Sequence, residues 1–344
     1  MGRKAADIEK FRRAVQAAVL LLCLFAGYRL YLFVGQFPGG GVQISRPSVV
    51  DGFLPIGGLM GLKLWLSTGV FDPVHPAAIV ILAAAIAVSA VFKKGFCSWI
   101  CPVGALSETL WKTGGRISGR DFRPNRPLDY SLRSVKYILL AFFLINVFSM
   151  PSGALESFLS GPYWVAADAR MLWFFEHMGV ASGAVLAGLF AGSFFYRNFW
   201  CRYFCPYGAL LGLLSFLSPA KVTRDEAACT HCGVCRRNCP AYIPVDKKTR
   251  IRSPECSGCL TCVARCPAPG ALEVRLGRFR AGQDKIPSVA SERGRAVSPF
   301  LYAALLLAVF FGIVAWAKAA GHWISGVPIA DYGRIISLMR GPGG

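Results

Sequence analysis

Eight of the thirteen cysteines form two matching sets in the sequence. The sets read CTHCGVCRRNCP and CSGCLTCVARCP, and each has the spacing Cys-x-x-Cys-x-x-Cys-x-x-x-Cys-Pro. At this spacing three thiolates bind one iron–sulfur cubane, and the fourth, which points away from them, reaches a second cubane. The pattern predicts two [4Fe–4S] clusters with these ligands: Cys229, Cys232, Cys235 and Cys266 for cluster one, and Cys256, Cys259, Cys262 and Cys239 for cluster two.

Zinc is the main alternative occupant, because paired Cys-x-x-Cys sites often hold it. Zinc does not account for two matched three-plus-one sets that both end in Cys-Pro. A segment this short also has little hydrophobic core, so bound clusters would stabilise it. We therefore predict a small α+β two-cluster ferredoxin domain over residues 220–275, with no feature suited to an organic substrate.

Four further cysteines lie in a second repeated stretch. Copy one, KGFCSWICPVGAL, contains Cys97 and Cys101, and copy two, NFWCRYFCPYGAL, contains Cys201 and Cys205, each 104 positions after its counterpart. Proline directly after the second cysteine of each copy can begin a helix. Three interpretations are open: the four thiolates bind an additional iron or iron–sulfur centre, they are redox-active or metal-transferring thiols, or each pair packs on one helix face.

These cysteines lie in a chain with the composition of a membrane protein. Of its 344 residues 54% are hydrophobic and only 16% are charged, whereas about a quarter is charged in soluble proteins. Apolar runs close to the roughly 20 residues that cross a bilayer predict five transmembrane helices at residues 14–33, 77–92, 137–150, 180–195 and 300–317. We predict an α-helical integral membrane protein with an internal parallel repeat, in which each copy ends a hairpin of spans.

Lysine and arginine are distributed unevenly along the chain. Segments 1–13, 93–136 and 197–298 hold 31 of the 38, and such residues stay in the cytoplasm when they flank spans. The N-terminus and the ferredoxin domain should be cytoplasmic and the C-terminus periplasmic. Because this topology explains the net charge of +20, nucleic-acid binding is not expected. The predicted domains are a four-span membrane domain (1–219), the ferredoxin domain (220–275), a basic linker (276–298), and a fifth span with a short tail (299–344).

Haem is not expected, because haem b needs facing axial ligands. The histidines are His75, His177, His231 and His322, and none lies in the middle of a predicted span. No Cys-x-x-Cys-His occurs for covalent attachment. The lone Cys23 is predicted to pack as a small apolar side chain.

A quinone site would combine apolar walls with a few polar groups that exchange protons. The predicted outer side offers Asp51, Lys63, Asp72, His75, Glu156, Asp168 and His177, and the candidates singled out are Arg29 and His75. Arg29 lies inside the first predicted span, where an ionisable residue is costly and suggests function. The alternative is that its side chain reaches to the membrane interface. His75 precedes the second span, and its alternative role is to begin that helix.

The paired Cys-x-x-x-Cys-Pro stretches, followed by a two-cluster ferredoxin segment, resemble the membrane polyferredoxin family over about residues 77–275. That family includes the quinol-oxidising subunit of periplasmic nitrate reductase systems, the membrane electron donor of nitrous oxide reductase and the copper-handling accessory protein of cbb3 oxidases. This sequence departs from the pattern in its fifth span and in the C-terminal segment GHWISGVPIADYGRIISLMRGPGG.

The resemblance implies an electron-transfer protein of the bacterial inner membrane that acts between the quinone pool and a partner redox protein in anaerobic respiration. Such a protein would be similar to a quinol dehydrogenase. The implied partners are membrane lipid, quinone or quinol, and a periplasmic reductase, a cytochrome or a membrane-complex subunit. Two alternatives stay open: an accessory metal reductase or maturation factor that handles copper for a respiratory metalloenzyme, and a redox sensor.

Overall fold

The structure, a computed structural model, describes residues 2–37, 44–119, 122–277 and 294–340, and most of them are helical. The helices are α1 (Gly2–Gly35), α2 (Pro55–Thr68), α3 (Pro76–Phe92), α4 (Gly95–Trp99), α5 (Pro102–Ser118), α6 (Arg126–Ser149), α7 (Ser152–Leu159), α8 (Pro162–Val165), α9 (Ala167–Glu176), α10 (Val180–Phe195), α11 (Phe199–Tyr203), α12 (Pro206–Leu214), α13 (Val234–Arg237), α14 (Thr261–Ala264), α15 (Pro299–Ala319) and α16 (Ile329–Arg340). The strands are β1 (Ala220–Arg224), β2 (Leu272–Leu276) and β3 (Arg295–Val297), and 3₁₀ helices cover Ser48–Phe53 and Val245–Lys247.

Three helical segments among the described residues are long and apolar enough to cross a membrane. They are Asp7–Gly35, Pro127–Ser149 and Pro299–Ala319, which contain most of the first, third and fifth predicted spans. The fourth predicted span corresponds to α10. This helix is a candidate span only when it is joined to α9, and the two helices meet at a bend of 89°. The second is α3, an apolar helix of 17 residues. The chain is therefore a largely helical membrane protein with three or four candidate spans, and the count of five stays a prediction.

The chain forms two compact units, and neither is continuous in sequence. Unit 1 comprises Met1–Leu20, Ala85–Leu140 and Ala187–Phe310, and unit 2 comprises Leu21–Ala84, Ala141–Leu186 and Phe311–Gly344. All twelve cysteines of the repeated motifs belong to unit 1, whereas Arg29 and His75 belong to unit 2. The predicted domain boundaries remain predictions.

The ferredoxin segment in unit 1 begins and ends with paired strands. β1 and β2 are antiparallel, with Ala220 opposite Leu276. The chain therefore returns to the start of the segment after the two cysteine loops, the first at residues 229–239 and the second at residues 256–266. β3 adds a third antiparallel strand, with Val297 opposite Val274. The predicted linker thus contributes a strand to the sheet, while its residues 278–293 lie outside the described part of the chain.

Small residues in α2 allow close packing in unit 2. A Cβ on Gly57 would lie 1.7 Å from the Trp164 ring, and one on Gly58 would lie 2.8 Å from the carbonyl oxygen of Ala78. Only glycine fits these two positions without a shift of the neighbouring groups. The buried apolar cluster around Trp164 extends to Leu30 and Tyr332, and it borders the buried polar residues described below.

Candidate iron–sulfur centres

The four cysteines predicted for cluster two line one cavity. Three come from the second cysteine loop and Cys239 from the first, and aliphatic side chains such as Ile243 and Val245 form other parts of the wall. Burial, together with the nearby thiols of Cys259 and Cys256, raises the pKa of Cys239 to about 12, so the bare thiol is neutral at pH 7 and ionises when metal binds. Four cysteine sulfurs around an apolar cavity fit the donor set of a cubane.

The cysteines predicted for cluster one also approach each other across the two loops. Burial raises the pKa of the Cys266 thiol, and the thiols of Cys232 and Cys229 add to the effect because they lie close to it. Cys235 is buried and lies near Cys266, whereas Cys232 is exposed. The fourth cysteine of each loop therefore lies near cysteines of the other loop, and the assignment of ligands to the two clusters stays a prediction.

The two cysteine loops use the same backbone turns. The residue before the second cysteine has a positive φ in both loops, at His231 (53°) and Gly258 (62°), and so has the residue after it, at Gly233 (68°) and Leu260 (59°). These left-handed conformations turn the chain so that three successive cysteines can face one point. Glycine occupies only one of these two positions in each loop. The residue types alone therefore indicate only one of the two left-handed turns in each loop.

Copy one and copy two of the Cys-x-x-x-Cys-Pro stretch have the same local structure. The first cysteine of each lies in a short helix, α4 or α11, and the second is the N-cap of the next helix, α5 or α12, with proline at its first turn. The Gly208 amide donates to Cys205 Sγ at 3.2 Å. A Cβ on Gly104 would lie 2.1 Å from the carbonyl oxygen of Cys97, so this glycine permits the tight turn of copy one.

The four thiols of the two copies lie close together in unit 1. Burial raises the pKa of Cys97 to about 12, with further contributions from Cys101 and Cys205. Burial also raises the pKa of Cys201, and the other three thiols add to it. Among the described residues, no three histidine, cysteine, aspartate or glutamate side chains form a group suited to a single metal ion as they stand.

Two buried lysines and one buried glutamate accompany these four thiols. Lys136 Nζ donates to Glu255 Oε1 at 2.6 Å, and Lys94 Nζ lies 3.6 Å from Glu255 Oε2. Both lysines are near enough to Cys97 to favour its thiolate form. Glu255 directly precedes Cys256 of cluster two. The three formal charges sum to one positive charge beside four ionisable thiols.

Copy one is attached directly to the second cysteine loop. Ser98 Oγ donates to the carbonyl oxygen of Ser257 at 2.6 Å, and Trp99 Nε1 donates to that of Gly258 at 3.1 Å. Trp99 is fully buried. The residue after Cys97 is thus hydrogen-bonded to the residue after Cys256.

Copy two and the residues just before it are attached to the other wall of the cluster-two cavity. Arg202 Nη1 donates to the carbonyl oxygen of Ala241 at 2.9 Å, and Arg197 Nη1 donates to that of Cys239 at 2.8 Å. Arg202 is oriented by a bidentate pair with Asp129, at 2.8 Å for each bond. Both copies therefore hold segments that line the cluster-two cavity.

The two candidate quinone residues do not contact each other. Arg29 Nη2 donates to Ser45 Oγ at 3.1 Å. His75 is completely buried, and its Nε2 lies 2.7 Å from the carbonyl oxygen of Trp164. A carbonyl only accepts, so Nε2 carries a proton, and Nδ1 faces Arg46 Nη2 at 2.5 Å and Asp51 Oδ1 at 3.0 Å.

Arg46 is the centre of a buried polar cluster in unit 2. Its guanidinium donates to Asp51, to Asp168 Oδ2 at 2.6 Å and to Tyr332 Oη at 3.1 Å. Tyr332 donates in turn to Asp168 Oδ1 at 2.5 Å. Arg46 Nη1 and Asp51 Oδ2 are buried without a hydrogen-bond partner in the part of the chain that the structure describes. The cluster holds one fixed cation, two carboxylates and His75.

Sequence reasoning missed Arg46, Tyr332, Lys94, Lys136 and Glu255 as site residues. Arg46 lies among the few basic residues outside the three basic segments, which could have drawn attention to it. The two lysines lie in a segment with many basic residues, so nothing in the sequence distinguishes them from the others. Their burial depends on tertiary packing. No local pattern marks Glu255 except its position next to a predicted ligand.

Taken together, the apolar helices, the crossed cysteine loops and the paired Cys-x-x-x-Cys-Pro turns define a membrane protein with ferredoxin-type iron–sulfur motifs. The family described as "4Fe-4S binding domain" matches residues 74–121 and again residues 178–224. The family described as "4Fe-4S dicluster domain" matches residues 221–267. The two matches of one family each contain one copy of the repeated stretch.

Curated proteins with similar sequences are found in several bacteria. The chain is 40% identical to "Putative electron transport protein YccM" of Escherichia coli K12 over 328 residues, which cover 95% of this chain and 89% of that protein. It is 30% identical to protein NirI of Paracoccus denitrificans over 54% of this chain and 27% of that protein. It is 28% identical to the ferredoxin-type protein NapH of Escherichia coli K12 over 56% of this chain and 67% of that protein. No solved structure matches.

The chain belongs to the family of membrane polyferredoxin-type electron transport proteins, because similarity extends over nearly its whole length. This confirms the resemblance that the cysteine spacing indicated. Electron transport by ferredoxin-type clusters in a membrane protein is thus the general function, and it implies a redox partner.

Proposed function

We propose that this protein transfers electrons between the membrane quinone pool and a partner redox protein, through centres bound by the cysteines of unit 1. The observation that carries the proposal is the attachment of the cluster-two cavity to both Cys-x-x-x-Cys-Pro copies. Ser98 and Trp99 hold the loop that contains Cys256, and Arg202 holds the segment after Cys239. Electron tunnelling falls steeply with distance, so direct attachment of ligand-bearing segments favours a short route between them.

Within this proposal, each of two [4Fe–4S] clusters is bound by three cysteines of one loop and the fourth cysteine of the other. A third iron or iron–sulfur centre is bound by Cys97, Cys101, Cys201 and Cys205. The buried pair of Lys94 and Lys136 supports the third centre. If the four thiols were neutral packing groups, the lysines would leave one buried positive charge beside them without compensation, which costs several kcal/mol. Thiolates bound to metal supply the opposite charge. Each centre, when bound, supplies a one-electron relay.

The order of the centres follows from the attachments within unit 1. The four cysteines of the two copies adjoin cluster two through Ser98, Trp99 and Arg202. Cluster one adjoins cluster two because the loops exchange their fourth cysteines. We therefore assign cluster two as the inner relay and cluster one as the centre that faces the partner.

In unit 2, we assign the exchange of protons with quinol to the cluster around Arg46. Oxidation of one quinol releases two electrons and two protons, and the electrons pass singly to the cysteine-bound centres. His75 Nδ1 and Asp51 Oδ2 are the groups that would accept protons, because the other ring nitrogen of His75 is bound to the Trp164 carbonyl and Asp51 Oδ2 has no hydrogen-bond partner among the described residues. The neighbouring Asp168 stays bound to Arg46 and Tyr332, so these two residues position the acceptors. Arg29, which binds the residue before Arg46, belongs to the same region of the chain.

We further propose five spans in the bacterial inner membrane, related by a parallel repeat, with the N-terminus and the ferredoxin domain in the cytoplasm and the C-terminus in the periplasm. The distribution of lysine and arginine supports this orientation. Reporter fusions after residues 50, 125, 165, 285 and 344 should report outside, inside, outside, inside and outside in turn. A cytoplasmic reporter at residue 344 would refute the fifth span or the whole orientation.

Quinol-driven reduction of the anaerobically purified protein in lipid nanodiscs tests the function. About eight irons and eight sulfides are expected for two cubanes, and about twelve of each if the third centre is also a cubane. Menaquinol should reduce the clusters in the wild type, as followed by visible bleaching and electron paramagnetic resonance. Stoichiometric zinc without visible absorbance would refute the cluster assignment. Rapid reduction of cupric ion by the dithionite-reduced protein, which is itself not reduced by quinol, would favour the metal-reductase alternative.

Three cysteine substitutions separate the third centre from the ferredoxin clusters. Cys97→Ser and Cys205→Ser should each lose the same spectroscopic signal and the reduction by quinol, while dithionite still reduces both ferredoxin clusters. Cys23→Ser, a matched change of a cysteine outside all motifs, should behave as the wild type. Near-normal reduction by quinol in both motif variants would show that the repeated stretch is only architectural.

A further inference from the structure

The two clusters differ in how much of their surroundings is covered. The cluster-two cavity is bounded by segments that Ser98, Trp99 and Arg202 hold in unit 1. On one side of cluster one, Arg265 next to Cys266 pairs with Glu9 of α1 at 3.1 Å. Of the four cysteines predicted for cluster one, Cys232 is the exposed one. Cluster one can therefore be approached from outside on the side of that thiol.

Exposed basic side chains lie on α13, which follows Cys232 closely, and on the element beside it. Arg236 and Arg237 are exposed on α13, and Lys247 and Lys248 are exposed at the neighbouring 3₁₀ helix. The two elements adjoin, because Arg236 Nη1 lies 4.0 Å from Asp246 Oδ2. We call Cys232 together with these four residues the basic face. The neighbouring Asp246 offsets one of these four positive charges, so the basic face keeps a net positive charge.

Arg237 lies next to the cluster loop itself. Its Nη1 is 3.3 Å from the position that a Cβ on Gly233 would take, directly after Cys232. Arg237 and both lysines have no carboxylate partner in the described residues. Their charge is therefore available to a second molecule at the point where the cluster is nearest to solvent.

We propose that the basic face is the docking surface for an acidic soluble one-electron carrier protein, which exchanges electrons with cluster one. The proposal rests on the proposed function and adds the partner's chemistry. One electron leaves reduced cluster one and reduces the carrier by one electron, without a proton or a covalent bond. Complementary charge would steer the carrier to the exposed thiol, and such steering raises association rates by about 10- to 1,000-fold at low salt.

Anionic lipid is the other partner that a basic surface could bind. A lipid headgroup would pair with the basic side chains, but it would not exchange electrons with a cluster bound by the exposed Cys232. The position of Cys232 within the face thus favours a redox protein, and lipid binding becomes an outcome of the test.

Stopped-flow electron exchange measures the docking directly. The oxidised full-length protein in nanodiscs of neutral phosphatidylcholine is mixed anaerobically with a reduced acidic plant-type [2Fe–2S] ferredoxin, a strong enough reductant for the transfer to run downhill, at several ionic strengths. We expect Arg236→Glu combined with Arg237→Glu to lower the second-order rate by about tenfold or more at low salt and to flatten its dependence on salt. Arg116→Glu combined with Arg295→Glu changes the net charge equally at exposed residues of unit 1 outside the basic face, and should retain most of the rate.

Small uncharged mediators separate this inference from the proposed function. Both double variants should exchange electrons with a neutral quinone mediator at the wild-type rate. If the wild type does not exchange electrons with the quinone mediator, the proposed function is refuted. A normal mediator rate with carrier exchange that is unaffected by the double reversal would overturn the docking surface. Loss of binding to anionic vesicles in the double variant, with unchanged carrier exchange, would assign the basic face to lipid and also overturn it.

Discussion

The pair of Arg12 and Glu108 offers the sharpest test of the forces that hold unit 1 together. Arg12 is 1% exposed and Glu108 is 8% exposed, and two parallel bonds of 2.6 and 2.7 Å join them. Burial alone would raise the pKa of Glu108, but Arg12 and Lys112 outweigh it and lower the pKa from 4.5 to about 2. Each tenfold change in proton affinity corresponds to about 1.4 kcal/mol, so the ionised carboxylate contributes roughly 3 kcal/mol.

Glu108→Gln keeps the shape of the side chain and removes its charge. Arg12 then stays buried beside a neutral amide, and breaking a buried pair in this way costs about 3–5 kcal/mol, which includes the value that corresponds to the lowered pKa of Glu108. A loss of about 3 kcal/mol corresponds to a fall of roughly 6–12 °C in the unfolding midpoint for a unit of this size. Tryptophan fluorescence during heating in detergent measures that midpoint.

The pH dependence has a defined sign. Because the pKa of Glu108 is lower in the folded protein, its contribution is complete above pH 4.5 and disappears as the pH falls towards 2. The difference in midpoint between wild type and Glu108→Gln should therefore be constant from pH 7 to about pH 5 and shrink below it. Contributions from the clusters cancel in this difference.

Glu226→Gln is the matched control for Glu108→Gln. Glu226 pairs with Arg224 at 2.7 Å, but its side chain is 51% exposed, so its loss should cost at most about 1 kcal/mol. Equal midpoints for the two variants would refute the reasoning from burial. A difference between wild type and Glu108→Gln that grows as the pH falls would contradict the sign.

Four further substitutions test local features. Gly104→Ala should disrupt copy one and lower the iron content, because its Cβ would lie 2.1 Å from the carbonyl oxygen of Cys97, whereas Gly208→Ala, with nearest atoms at 3.6 Å, should retain its iron. Lys63→Met should lower the unfolding midpoint by the equivalent of about 1–2 kcal/mol, since Lys63 Nζ donates to carbonyls at the end of α6. Tyr332→Phe should cost about 1–3 kcal/mol by removing a hydrogen bond to a buried carboxylate; an unchanged midpoint in either would contradict the assigned contact.

The parts that sequence could predict are those fixed by short-range spacing. The Cys-Pro endings place Cys101 and Cys205 at helix N-caps, as proline at a first turn requires. The crossed approach of Cys239 and Cys266 also follows from spacing alone, because a fourth thiol just beyond a tight loop must point away from it. Long apolar runs predicted three full-length candidate spans for the same reason.

Sequence could not predict features that depend on tertiary packing. The bend between α9 and α10 occurs between two apolar helices, and composition does not separate a bent pair from a straight span. Lys94 and Lys136 look like ordinary positive residues near a membrane surface, yet both are buried. Only the fold, which brings Glu255 between them, reveals their role.

The two copies of the Cys-x-x-x-Cys-Pro stretch have identical cysteines, but the residues that contact the ferredoxin segment differ between them. The offset of 104 pairs Ser98 with Arg202, yet the first donates through a short hydroxyl to Ser257 and the second reaches Ala241 through a long guanidinium. The cysteines stay identical where a shared centre would need equal ligands, and their neighbours differ where each copy holds its own wall of the cluster-two cavity. This division of roles is what a protein needs if one centre in the membrane region must deliver electrons to one particular cluster of the ferredoxin domain.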